Sequence, residues 1–154
     1  MKELKSLILI IFSASLICIS SSFSDETNNR VIVSEINATW SLNTTVDGIE
    51  FYHKKIAYAD EVNGLNYEVI LLKLVNTNCY KVDVSFNQKL WNGIDVMQEG
   101  TDDETLFKTT LGSKKSINGN PNVSNNLQIY VQDFVHDGGK VLSEYELVNV
   151  KVTK

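Results

Sequence analysis

The sequence predicts an all-β protein: an immunoglobulin-like or related Greek-key β-sandwich of about seven or eight short strands, preceded by a signal-peptide helix. Three observations carry this. Beyond the N-terminal segment the hydrophobic period is two, the mark of half-buried strands, and not the 3.6 of an amphipathic helix. Turn residues such as Asp47-Gly48, Asn92-Gly93 and Asp137-Gly138-Gly139 punctuate the chain, at the spacing of an antiparallel sandwich. Past the leader, no stretch long enough for a surface helix carries a helical pattern.

The leader comes first. Lys2 and Lys5 precede an apolar run from Leu7 that continues through Ile19, followed by Ser22-Phe23-Ser24 before Asp25. A basic start, an apolar centre too short to span a bilayer and small residues at a cut site describe a secretory signal peptide, residues 1–24, cleaved after Ser24. The rival is lipid attachment at Cys18. That signal wants a small residue just before the cysteine, and Ile17 stands there.

Removing 24 residues from 154 leaves 130, enough for one domain, 25–154, with an ordinary core. The leader holds two of the 14 basic residues and one of the 19 acidic ones, so the mature chain carries 12 against 18 and a net charge of −6. Nucleic acid is excluded as a partner on that balance, since phosphate binding needs clustered Lys and Arg. Cys79 is the only cysteine past the leader, so no internal disulfide can form and the fold rests on apolar burial. The bias to Lys, with Arg30 alone against it, and the many Asn residues read as the trace of an AT-rich, bacterial genome.

The first strand is expected over Glu35–Leu42, with Ile36, Ala38, Trp40 and Leu42 on one side, and Trp40 packed between the sheets. A second follows the Val46-Asp47-Gly48 turn, over Ile49–Tyr58. Asp60–Gly64 breaks the pattern. Tyr67–Val75 is apolar on both faces and belongs at the centre of a sheet. After the short loop Asn76-Thr77-Asn78 the next strand alternates, with Tyr80, Val82, Val84, Phe86 and Leu90 against Lys81, Asp83, Ser85, Asn87 and Lys89. These two strands are expected to form the central hairpin. Asn92-Gly93 is a turn, Glu99–Glu104 an acidic loop, Thr105–Leu111 and Lys114–Ile117 are short strands, and Asn118–Asn126, with Pro121, is a polar stretch. Leu127, Ile129 and Val131 mark another strand, and the segment from His136 to Lys140 a turn. In the last strand Tyr145 and Leu147 hold odd positions while Val148, Val150 and Val152 hold even ones. A one-residue slip inverts the faces, so a bulge is expected near Leu147 and Val148.

The segments Leu72–Asn78, Leu90–Gly93, Ser116–Gly119 and Tyr145–Val152 together resemble small exported proteins of unassigned function from Bacteroidetes, over roughly residues 35–154. The resemblance implies an immunoglobulin-like sandwich and no activity. It also implies a disulfide after the two Asn-Gly turns, absent here because Asp95 and Asn120 occupy those places.

Residues capable of chemistry are scattered. His53 and His136 are the only histidines, and no metal-ligand spacing or nucleophile motif accompanies them; each reads as a solvated imidazole. Asp95, Glu99, Asp102, Asp103 and Glu104 form the one dense set of oxygen ligands, without the spacing of an EF-hand loop, and read as a solvated turn. Cys79 falls on the wet face, where a register shift would bury it. The acceptor patterns at Asn37, Asn43 and Asn122 are expected by chance in an Asn-rich chain. Trp91 is the most suggestive residue, because alternation points it outward beside Asn92-Gly93, as an exposed platform for a sugar or a protein.

The expectation is an exported, non-catalytic module, secreted or periplasmic, that binds a protein or glycan at the cell envelope through Trp91. No catalytic residue, metal, cofactor or nucleic-acid partner is expected, and no stable membrane span after cleavage. The alternative is a small secreted enzyme or inhibitor with a site built from scattered acids such as Asp102, Asp103 and Asp137. A structural subunit, betrayed by a long open edge strand, is a third class.

Overall fold

The computed structural model describes residues 30–60, 64–123, 126–132 and 141–154. The expected leader, its cut after Ser24, Cys18, His136 and Asp137 lie outside the described residues, as does most of the Asp60–Gly64 break.

Among the described residues ten strands form two antiparallel sheets. They are Val31–Ile32 (β1), Ser41–Val46 (β2), Ile49–Asp60 (β3), Leu65–Asn76 (β4), Val82–Asn92 (β5), Asp95–Gln98 (β6), Phe107–Leu111 (β7), Ser116–Asn118 (β8), Gln128–Tyr130 (β9) and Glu144–Thr153 (β10). The first sheet runs β1-β10-β5-β6, with β7 following β6 along the same side of β5. The second runs β2-β3-β4-β8, with β9 following β8 along β4. No described helix is long and apolar enough to cross a membrane.

The sheets pack face to face, as a β-sandwich does. Ile49, Phe51, Ile70, Leu72 and Leu74 of the second sheet meet Val82, Val84, Phe86 and Tyr145 of the first in one buried cluster. Phe51 sets its edge against Phe86 with ring centres 5.8 Å apart, the geometry that aligns a positive ring edge with a negative face.

Three expectations are corrected. The first strand does not begin at Glu35. Val33–Glu35 is a turn of 3₁₀ helix, in which residues three apart eclipse. Val33 and Ile36 are therefore both buried, and Ala38 is exposed. Strand β2 starts only at Ser41. Second, Trp40 is not core. It stands on the outer face of the second sheet, with the ammonium of Lys54 4.8 Å from its ring centre.

Third, β4 and β5 are not a hairpin. They are the central strands of opposite sheets, and Asn76 turns the chain from one to the other. Its buried amide donates to the carbonyls of Tyr80 at 2.8 Å, Leu111 at 3.2 Å and Gly112 at 3.0 Å, while Oδ1 accepts from the amide of Asn78. The bulge expected near Leu147 and Val148 is present: the register of β10 with β5 slips between Val148 and Lys151. Asn149 takes φ +54° there, a conformation that Asn tolerates better than most side chains. Tyr145, Leu147, Val150 and Val152 consequently all face the core.

Other elements stand where the pattern put them. β2 and β3 join through Asp47 and Gly48, both at positive φ, as a two-residue turn between twisted strands requires. β4 is paired on both sides, and Val69, Ile70, Leu71 and Leu72 are all buried. The strand opposite β4 is continuous except for an excursion: Gly119 donates to Leu72 and Leu127 accepts from it, so the ladder leaves at 119 and resumes at 127. Any side-chain carbon at Gly119 would collide with the carbonyl of Leu127. The strand opposite β5 is broken in the same way between Gln98 and Phe107, where a 3₁₀ turn at Asp103–Thr105 intervenes.

Candidate functional site

Strand alternation does send Trp91 away from the core, but not into solvent. Paired positions across a sheet share a face, so Ile32, Glu144, Trp91 and Val96 form one row on the outside of the first sheet. Arg30 closes over this row: its guanidinium lies 4.3 Å from the Trp91 ring centre and 3.4 Å from the Glu144 carboxylate. Lys89 approaches at 5.4 Å. Trp91 is left 3% exposed. Alternation fixes the direction of a side chain and not what covers it, so the expected exposed platform is corrected to a tryptophan packed under cations.

The other candidates do not assemble. Asp95, Glu99, Asp102 and Asp103 are exposed, and Glu99 pairs with Lys89 at 2.8 Å. Among the described residues no three His, Cys, Asp or Glu side chains gather as a metal site would need. Cys79 is exposed in the β4–β5 corner. His53 is not solvated, as expected, but buried between the sheets, with Nδ1 2.7 Å from the Tyr145 hydroxyl. Burial holds the His53 imidazole below its usual pKa and pushes the Tyr145 phenol upward, since desolvation disfavours the charged form of each.

The feature that single strands do not reveal is the outer face of the second sheet. Tyr58 is paired with Tyr67 across the β3–β4 hairpin, and Tyr130 is paired with Val69 one step on. The three tyrosines line up, with ring centres 5.2 Å apart for Tyr58 and Tyr67 and 5.3 Å for Tyr67 and Tyr130. The Tyr58 hydroxyl bonds Asn122 on the excursion between β8 and β9. Farther along the face, Tyr52 and Trp40 lie under Lys73, at 5.4 and 5.8 Å. Tyr130, at the edge strand, is 44% exposed. The sequence held one signal of this: Tyr58 and Tyr67 stand symmetrically about the Asp60–Gly64 break.

Such a face is suited to contact. It offers flat apolar rings with hydroxyl tips. Comparison with protein-family models, with curated proteins and with solved structures finds no match.

Proposed function

We propose that this chain is an exported, non-catalytic β-sandwich module of immunoglobulin-like or related Greek-key type, secreted or periplasmic, and that it binds a protein or glycan at the cell envelope. The observation that carries the reading is the run Tyr58–Tyr67–Tyr130 on the outer face of the second sheet. Of the two partners, a glycan suits this face better. A sugar ring has a C–H face that stacks on an aromatic ring and a hydroxyl rim that bonds the polar groups around it, here the phenol tips and the Asn122 amide. Large rings with few rotatable bonds provide contact area at little cost in entropy.

The test compares the mature protein with Tyr130→Ala on a glycan array, with a pull-down from envelope extract in parallel. The variant is expected to fold, losing under about 1 kcal/mol because the residue is half exposed. Glycan retention is expected to fall by about tenfold or more, equivalent to about 1.4 kcal/mol. Equal retention by both proteins refutes the tyrosine face as the contact, and retention of a protein with no glycan refutes the choice of partner.

A further inference from the structure

Cations lie over both tryptophans, and the two settings differ in one respect. Over Trp91, on the first sheet, each cation also meets a carboxylate: Arg30 reaches Glu144 at 3.4 Å and Lys89 reaches Glu99 at 2.8 Å. Over Trp40, on the second sheet, neither does. Lys54 lies 4.8 Å and Lys73 5.8 Å from the Trp40 ring centre, and no carboxylate among the described residues stands within ion-pair distance of either ammonium. Even Lys55, the chain neighbour of Lys54, has Glu68 at 3.6 Å.

Strand register brings the two lysines together. Ser41 pairs with His53, so Trp40, one residue earlier, stands beside Lys54 on the outer face. Tyr52 pairs with Lys73 and Lys54 with Leu71, which makes the lysines diagonal neighbours on one face, about 7–8 Å apart at the backbone. Like charges this close repel. The rings soften the repulsion without cancelling it, since a cation–π contact outside a dry interior is weak. Glu50, on the same face of β3, accepts the Tyr52 hydroxyl at 2.8 Å and pairs with neither ammonium. Trp40, Tyr52, Lys54 and Lys73 are all partly exposed.

We infer that Lys54 and Lys73 form an anion subsite beside Trp40, and that the glycan recognised by this face is an acidic one, presenting a carboxylate or sulfate group there. The inference rests on the reading of the outer face of the second sheet as a glycan contact and names the class of glycan. One oxyanion between the two ammoniums neutralises both and accepts charge-assisted hydrogen bonds from them, while the C–H face of the sugar that carries it stacks on the Trp40 ring. Tyr58 lies on the same face of β3, four residues beyond Lys54 and about 13 Å away, so a short oligosaccharide reaches from the tyrosines to the cation pair. The whole chain has a formal charge of −5, which opposes polyanions in general. Attraction to an acidic sugar must therefore be local.

The experiment titrates three tetrasaccharides calorimetrically into the mature protein: an oligogalacturonate, a chondroitin sulfate and neutral cellotetraose. The test variant carries Lys54→Gln with Lys73→Gln. A control carries Lys108→Gln with Lys151→Gln, which removes the same charge from the outer face of the first sheet, where both lysines flank Ser85. Melting curves show that each variant is folded, and the single substitutions serve if the double one is not. At least one acidic tetrasaccharide is expected to bind the parent about tenfold or more tighter than the neutral one, and whichever binds identifies the group as carboxylate or sulfate. Its affinity is expected to fall about tenfold or more in the test variant, and to weaken as salt rises from about 0.05 M to about 0.5 M, while the control binds like the parent. Undiminished binding by the test variant, or an equal loss in the control, overturns the inference. If the neutral sugar binds as tightly as the acidic ones and Tyr130→Ala weakens it, the tyrosine face stands and the anion subsite falls. If the parent binds no sugar, both fall.

Discussion

His53 and Tyr145 show how a polar pair survives inside an apolar core. Each would be costly alone, and together they share one hydrogen across 2.7 Å between the sheets, satisfying the ring nitrogen and the phenol at once. Burial disfavours a charge on either group, and it lowers the His53 pKa accordingly. The unfolded chain protonates this histidine near about pH 6.5, whereas the folded chain resists until lower pH. Below the unfolded pKa the unfolded state therefore holds more protons, and stability declines as pH falls while remaining full above it. Urea midpoints should drop between about pH 7 and pH 5, and the drop should be smaller in His53→Gln. Parallel pH profiles for the two proteins would show that His53 is not the group responsible. Trp91 teaches a second lesson at this scale, because its outward direction was legible from alternation with Lys89 and its cover was not. Arg30, the residue that closes over it, is 61 positions away in the chain.

Elements were more legible than their partners. The doubly apolar β4, the Asp47-Gly48 turn and the change of face in β10 could all be read along the chain, because each is a local consequence of side-chain period or backbone conformation. Which sheet a strand joins is not local. A short polar connection after β4 fits a hairpin or a crossover equally well, and the choice is made by Asn76, whose amide spans strand ends as distant as Leu111 and Gly112. The period of three from Val33 to Ile36 was hidden inside an apparent period of two that ran through Ala38, Trp40 and Leu42. The candidate site was least legible, since Tyr58, Tyr67 and Tyr130 meet only after three strands pair. Asn76→Ala should cost about 2–4 kcal/mol, because it abandons buried carbonyls and a buried amide hydrogen. Denaturant unfolding would measure the loss, and an unchanged midpoint would mean that the corner holds without its amide.

For the molecule as a whole, the proposal of export makes a direct prediction about mass. The secreted or periplasmic protein should begin at Asp25 and carry no lipid, and intact-mass measurement of material recovered outside the cytoplasm would read both. A species acylated at Cys18 would overturn it. Among the described residues Cys79 is the only cysteine and is free, so the fold they form is held by one apolar cluster between two sheets and not by a cross-link.

The margins of those sheets have a further consequence. On one flank β6 and β7 are separated by the acidic excursion, and β8 and β9 by the loop that leaves at Gly119. On the opposite margins β10 slips register at Val148–Lys151 and β2 at Leu42–Thr44. An intruding strand from a second molecule could therefore extend the ladders along β6–β7, β8–β9 and β10 by only a few bonds before meeting a loop or a bulge. These margins are thus poorly suited to templating the stacked, in-register growth from which amyloid is made, a safeguard of particular value to an all-β fold with no cystine among its described residues.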